Sequence, residues 1–337
     1  MSLFYVGVST SFFILLIINV YWFGANIYFW SISGLQAFLQ GFNFIEGIYA
    51  STYLKWILLA DITWLSIILG WSIKRKHFQT ESLNYLEYNK INEPSICVVI
   101  PAYNEKLIIE SVVKDFIGAK NVHQVIVIDN NSTDGTPDIA EKCGAKVIRK
   151  DRNMGFSHSC VVGMKEALKT NCNIIVLVEG DGTCNAYDLF RMIPYLDNCE
   201  MVVGTRQLQV LSEKGNQIKM IYVWGNYLLA KAIQVKFFSL LHMGAVNLTD
   251  VGCIYRAIRK DSLEKIIDKF YKPDSEEVIP GDEFTLFMTI NALKHNLRVI
   301  EIPVSFNKRV GISKIESDKK LKAVLIGFKF LWYILRS

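Results

Sequence analysis

Between residues 95 and 204 the chain alternates short, largely apolar runs with stretches of helical periodicity, and that alternation narrows its fold more than any other feature. The runs are SICVVI (95–100), QVIVI (124–128), AKVIR (145–149), NIIVLV (173–178) and EMVVG (200–204). Helix-like segments at 105–120, 136–143, 156–169 and 187–196 separate them. A strand with one wet face alternates apolar and polar side chains, whereas a continuous apolar run is covered on both faces. Such strands separated by helices predict a mostly parallel sheet with helices on both faces, an α/β fold. Ligands of open sheets bind beyond the carboxyl ends of the strands. The loops after 100, 128, 178 and 204 are therefore where function is expected.

Those loops read PAYNE (101–105), DNNSTDG (129–135), EGDGT (179–183) and GTR (204–206). Neither G-x-G-x-x-G nor G-x-x-x-x-G-K-[ST] occurs, so dinucleotide and P-loop readings fail. Carboxylates stand where those folds place glycines. Acidic strand ends suit a hard divalent cation, which takes oxygen ligands and bridges a diphosphate. Arg206 suits a phosphate oxygen. Each loop also has a structural explanation: Asp134-Gly135 as a turn before a helix capped by Thr136 with Pro137 in its first turn, and 179–182 as a surface turn. Four such loops at successive strand ends favour a site.

Composition bears on what surrounds this domain. The chain has 337 residues, 51% hydrophobic and 20% charged, which excludes a disordered polymer. Residues 3–23 carry no charge, and 54–73 form a second apolar stretch followed at once by Lys74, Arg75 and Lys76. Each is long enough to cross a bilayer core of roughly 30 Å. The basic cluster is a positive-inside signal, so the chain beyond residue 76 is expected in the cytoplasm, with 24–53 outside and the localisation a cell membrane or endomembrane, multi-pass. Asp61, inside the second stretch, is either a functional carboxyl or a helix contact bonded to Asn19. The net charge of +5 beside an apolar head suggests a membrane surface rather than nucleic acid. The seven cysteines include no C-x-x-C pair, and the five histidines have no ligand spacing, so neither a zinc site nor a disulfide framework is expected.

The loops as a set, VVIPAYNE, VIVIDNNSTDGT, EGDGT and GTR, resemble the family-2 inverting glycosyltransferases of the GT-A fold. LTDVGCIYRA (248–257) and VIEIPVSFNKRVGISK (299–314) narrow the resemblance to dolichol- or polyprenyl-phosphate sugar synthases of the dolichol-phosphate-mannose synthase type. The resemblance implies a GT-A Rossmann-like domain over 94–315, joined by a linker (78–93) to the two-span hairpin (1–77) and followed by a C-terminal helix (316–337). It implies that Pro101, Ala102, Tyr103, Glu105, Val127, Asp129, Glu179, Gly180 and Asp181 line the donor pocket of a GDP- or UDP-sugar. Glu179 and Asp181 occupy the two acidic positions of D-x-D, holding magnesium or manganese, with Thr183 a further metal position. Arg206, Arg256, Arg309, Ser313 and Lys314 fall where acceptor phosphate is bound, and Asp181, Arg206, Arg309 and Lys314 where catalysis occurs. The chain departs from that pattern at Glu179, where the family has Asp, at Thr183, where the synthase has a glutamine, and at Val223, where an arginine would fit. Lys219, one turn earlier, is its possible substitute or a solvated lysine.

A phosphate acceptor has a second pKa near 6, so it is already an anionic nucleophile and needs no strong base. A hydroxyl acceptor would need one. Asp282 and Glu283 stand near where hydroxyl-using relatives keep theirs, or simply favour a helix start. The residues are compatible with three functions: transfer of a sugar to a polyprenyl (dolichyl-type) phosphate at the cytoplasmic leaflet, transfer to a hydroxyl of a lipid-linked glycan, or a catalytically silent membrane scaffold. Two late segments suit a lipid surface. Residues 218–241 are largely apolar with three lysines. In 319–336, Leu321, Leu325, Phe328, Trp332 and Leu335 recur at helical spacing, while Lys322, Lys329 and Arg336 mark another face, the pattern of an interfacial amphipathic helix or of a core-packed helix with solvated lysines.

Overall fold

The computed structural model describes residues 88–214, 220–237, 246–271, 278, 284–311 and 320–337, with scattered positions between 14 and 66. In chain order the elements are β1 (Ile96–Ala102), α1 (Ile109–Ile117), β2 (Val122–Asp129), α2 (Thr136–Lys142), β3 (Lys146–Arg149), α3 (Phe156–Leu168) and β4 (Ile174–Leu177). Next come α4 (Leu189–Met192), β5 (Met201–Thr205), α5 (Met220–Lys236), β6 (Arg256–Arg259), α6 (Lys260–Ile266), α7 (Phe284–Lys294), β7 (Val299–Pro303) and α8 (Lys320–Arg336). All five expected strands are present. The segment expected to be helical at 187–196 is instead a four-residue α4 between two 3-10 turns, Ala186–Asp188 and Ile193–Asp197. Pro194, which has no N–H to donate, sits at the second junction.

The seven strands lie in the order β3-β2-β1-β4-β6-β5-β7. Strand β6 runs antiparallel to both neighbours, and every other pairing is parallel. All strands but β6 therefore end along one edge, and β6 begins there. Side chains alternate between two cores, as period two requires. From β1, Ile96, Val98 and Ile100 join Ile109, Val113 and Phe116 of α1, while Cys97 and Val99 face Val161 and Met164 of α3. Gly163 lets α3 lie close: a Cβ there would come within 2.2 Å of Val99 Cγ1.

A third cluster joins Leu229 and Ile233 of α5, Leu286 and Ile290 of α7, and Ile334 of α8. Both outer helices also carry exposed apolar side chains: Trp224, Tyr227 and Leu228 on α5, Leu325, Phe328 and Trp332 on α8. Helix α8 is thus apolar twice over, once against the core through Phe330, Leu331, Tyr333 and Ile334 and once outward.

The chain divides into two units, Met1–His77 with Leu335–Ser337, and Phe78–Ile334. The second carries the sheet. In the first, Ile14, Ile17, Val20, Leu59 and Ile62 are helical and exposed. Thr63 Oγ1 donates to Leu59 O and Ser66 Oγ to Ile62 O, both at 2.7 Å, closing local helical turns. Among the described residues no helix is long and apolar enough to cross a membrane. Most of the two expected spans, Asp61, Lys74–Lys76, Lys219, Asp282, Glu283, Ser313 and Lys314 lie outside the described residues.

Candidate active site

The first two loops are sewn together at the strand edge. Asn130 N donates to Ala102 O (2.9 Å), Asn104 N to Ser132 Oγ (2.9 Å) and Glu105 N to Thr136 Oγ1 (2.8 Å). Thr136 therefore serves Glu105, and the helix cap expected of it falls to Gly135, whose φ is +87°. Asp129, at the end of β2, is buried and accepts the Ser132 N–H at 3.2 and 3.3 Å. Val127 is sealed in the core two residues earlier and backs Asp129 without presenting surface. Pro101 and Ala102 are buried at the end of β1, Gly180 is buried beside them, and Tyr103 is half-buried.

The acidic loop follows β4. Asp181 is 3% exposed. Its Oδ1 accepts the Thr183 hydroxyl at 2.6 Å and the Thr183 N–H at 3.1 Å. Thr183 Oγ1 also lies 3.3 Å from Glu179 Oε2, but its one hydrogen goes to the nearer Asp181. Arg309 crosses from the segment after β7. Its Nη1 is 3.2 Å from Asp181 Oδ2 and its Nη2 is 3.5 Å from Glu105 Oε1. The segment is laced to the acidic loop by Asn307 N to Thr183 O (2.9 Å) and Val310 N to Asp181 O (3.2 Å).

Arg206 does not share these partners. Its Nε and Nη2 grip Asp250 at 2.8 and 3.0 Å, and its guanidinium lies over the Phe306 ring at 5.4 Å. Both arginines nevertheless act on Glu179 electrostatically. Arg256 is placed differently from its expected role at a phosphate. At the start of β6 it pairs with Leu177 and Val203, is 0% exposed, and donates to Cys253 O (2.9 Å) and Thr289 Oγ1 (2.8 Å). Burial lowers its pKa to about 10. It lies beneath the strand ends, where it can steady the site but not touch a ligand.

Sequence inspection passed over Asn130, Lys150 and Asn153. Lys150 Nζ donates to Asn130 Oδ1 (2.6 Å) and Ser159 Oγ (3.1 Å), and Asn130 Nδ2 donates to Asn153 Oδ1 (2.7 Å). Burial lowers the Lys150 ammonium to about 8. Its place directly after β3 was the available signal.

Among the described residues no three His, Cys, Asp or Glu gather as a metal cage. What exists is a pair of carboxylates on one strand-end loop, with Asp181 fixed by the Thr183 hydroxyl. A divalent cation with about six oxygen ligands would take the remainder from solvent and a bound diphosphate, so the donor set fits a metal that binds together with its ligand. Glu179 and Asp181 are the side chains that would hold it.

Burial, and after it the neighbouring Asp181, raise Glu179 to about 8 from an ordinary 4.5. A carboxyl whose folded pKa is raised contributes stability that is present below its unfolded pKa and is lost as pH rises through the folded value. The metal-free protein should therefore lose thermal stability between about pH 4.5 and 8 at this residue. Tm against pH for wild type and Glu179→Gln checks this; identical slopes in the two proteins would refute the assignment.

The model of glycosyl transferase family 2 matches residues 97–267. An uncharacterized protein of Methanocaldococcus jannaschii is 29% identical over 251 residues, 74% of this chain and 94% of that protein. The polyprenol monophosphomannose synthase of Mycolicibacterium smegmatis is 25% identical over 235 residues, 67% of this chain and 83% of that protein. Glucosyl-3-phosphoglycerate synthase from Mycobacterium tuberculosis, crystallised with Mn2+, uridine diphosphate and phosphoglyceric acid, aligns with a TM-score of 0.51 at 17% identity, covering 72% of this chain and 78% of that one, a likeness of fold. With its acidic strand-end loop and a family match spanning half its length, the chain belongs to glycosyl transferase family 2.

Proposed function

We propose that this glycosyltransferase moves a sugar from a GDP- or UDP-sugar to a polyprenyl phosphate at the cytoplasmic face of a membrane, with inversion and with a divalent cation. The observation that carries the reading is the meeting of Asp181, Glu105 and Arg309 at the strand ends, two carboxylates and a cation where a diphosphate and its metal would lie. The name of the Mycolicibacterium smegmatis relative supports a polyprenyl acceptor.

The chemistry needs little from the protein beyond placement and charge. The acceptor phosphate oxygen attacks the anomeric carbon as the bond to the nucleoside diphosphate breaks, and a single displacement inverts that centre. A bound cation supplies charge neutralisation to the departing diphosphate. Asp181, aligned by Thr183, holds its place; Arg309 can turn from the carboxylates to phosphate oxygens; Arg206, fixed by Asp250, offers a second cation. Glu179 is the second side chain that would hold the cation, and Thr183 hydrogen-bonds Asp181 beside it.

The exposed Trp224, Tyr227, Leu228, Leu325, Phe328 and Trp332 support a membrane-facing side, with Lys231 and Lys329 able to meet anionic headgroups. The apolar stretches 3–23 and 54–73 form the anchor in this reading. Membranes bearing the protein, supplied with radiolabelled UDP- and GDP-sugars and polyprenyl phosphate, should yield an acid-labile lipid-linked sugar. Absence of lipid product with every donor would overturn the acceptor assignment, and release of the protein by alkaline carbonate would overturn the anchor.

A further inference from the structure

Glu301 lies in the middle of β7, outside the acidic loop, and makes no ion pair among the described residues. Its charge is met by two adjacent residues of one turn. Oε1 accepts the N–H groups of Thr249 and Asp250, each at 2.9 Å. Oε2 accepts the Thr249 N–H and hydroxyl, each at 2.8 Å. Asp250 spends its carboxylate on Arg206, at 2.8 and 3.0 Å, and accepts the Gly252 N–H at 3.0 Å.

The connections close into a ring. Val203 of β5 pairs with Glu301, and Thr205 with Pro303 two residues on. The Thr205 and Thr249 hydroxyls are 2.9 Å apart, and because the Thr249 hydrogen goes to Glu301, Thr205 donates. Arg206 follows directly, and its own N–H reaches Asp250 at 3.3 Å. Sheet register, two hydroxyls and one carboxylate thus fix the turn from which Asp250 grips the guanidinium. That grip uses Nε and Nη2 and leaves Nη1 outside the pair. A lone salt bridge can swivel, whereas this one has its carboxylate anchored from behind. A neutral acceptor of the same shape would desolvate at lower cost. The carboxylate's distinct property is that Oε2 accepts the Thr249 hydroxyl while Oε1 accepts the two successive peptide N–H groups, so side chain and backbone of the turn are held at once.

We propose that Glu301 is a positioning residue which, through Thr249 and Asp250, holds Arg206 in the one orientation that presents it to phosphate. Only the phosphate as target rests on the function proposed above; the coupling of Glu301 to Arg206 stands on this geometry.

Gly252 supplies a second route to the same displacement. A Cβ there would lie 3.0 Å from Arg206 Nη2, so Gly252→Ala pushes the guanidinium while leaving the Glu301 bonds in place.

The test is the phenylglyoxal reactivity of single arginines in the full-length protein, read by peptide mass spectrometry. Glu301→Gln and Gly252→Ala should each raise modification of Arg206 about tenfold, as expected for loss of a charge-assisted contact, while Arg256 and Arg298 stay as in wild type. In transfer assays Glu301→Gln should lower kcat about tenfold, leave the donor KM within about twofold, and add nothing in an Arg206→Ala background. Unchanged Arg206 reactivity in both variants overturns the proposal. So does a parallel rise at Arg206 and Arg256, which means general loosening, or an additive effect of Glu301→Gln on Arg206→Ala. If no donor supports transfer, the functional reading falls, and the reactivity measurement still decides the role of Glu301.

Discussion

Asp181→Ala should lower sugar transfer at least about a hundredfold while the protein stays folded. Asp181 is held in place within the acidic loop: it accepts two bonds from Thr183 and faces Arg309 at 3.2 Å. Its removal takes away one of the two side chains able to hold a divalent cation and leaves Arg309 with Glu105 alone. None of these contacts belongs to the hydrophobic clusters, so Tm should move by no more than a few degrees. The checks are kcat and Tm of the variant, with isothermal titration of Mn2+ in the presence of UDP or GDP. A variant that retains full activity in excess EDTA would refute both the metal and the residue.

Arg309→Ala should slow transfer roughly ten- to more than a hundredfold, the effect of losing a charge-assisted contact of about 1.5–3 kcal/mol in the transition state. The same substitution should tighten Mn2+ binding to the nucleotide-free protein, because the guanidinium no longer competes for Asp181. The two outcomes have opposite signs at one residue, which separates a phosphate clamp from a surface contact. Unchanged kcat and KM for both substrates, with unchanged Mn2+ affinity, would make Arg309 a surface residue of the segment after β7. With side-chain exposures of 15% for Arg309 and 4% for Asp181, the pair is shielded enough for such effects to be measured.

The acidic loop was legible because its cause is local. Glu179 and Asp181 closely follow a run of five apolar residues, 174–178, and strand ends of a parallel sheet share one edge whatever the order of the strands. The same logic located Asp129 and Arg206. It did not reach β6, since RAIR begins and ends on arginine and carries no apolar run. That strand is stable because β4 and β5 cover its sides and because Thr289 and Cys253 O receive the guanidinium of Arg256. Assigning Arg256 to a phosphate followed from its motif, and only packing shows it to lie beneath the site. Arg206 and Arg309 were expected to meet at the phosphates; the structure pairs Arg206 with Asp250 and Arg309 with Asp181.

From the order of its residues alone, this protein has a layered α/β domain with acidic loops at one edge, because hydrophobic periodicity and strand-end chemistry depend on neighbours in the chain. Which charges meet across that edge is a tertiary matter. Arg206 and Asp250 are 44 positions apart, and Glu105 and Arg309 are 204 apart. Nothing local brings such groups together. The antiparallel insertion of β6, the register of β7 against β5 and the burial of both faces do so, since a charged pair so far apart in the chain forms only where the sheet has already met the entropy of closing the loop between them.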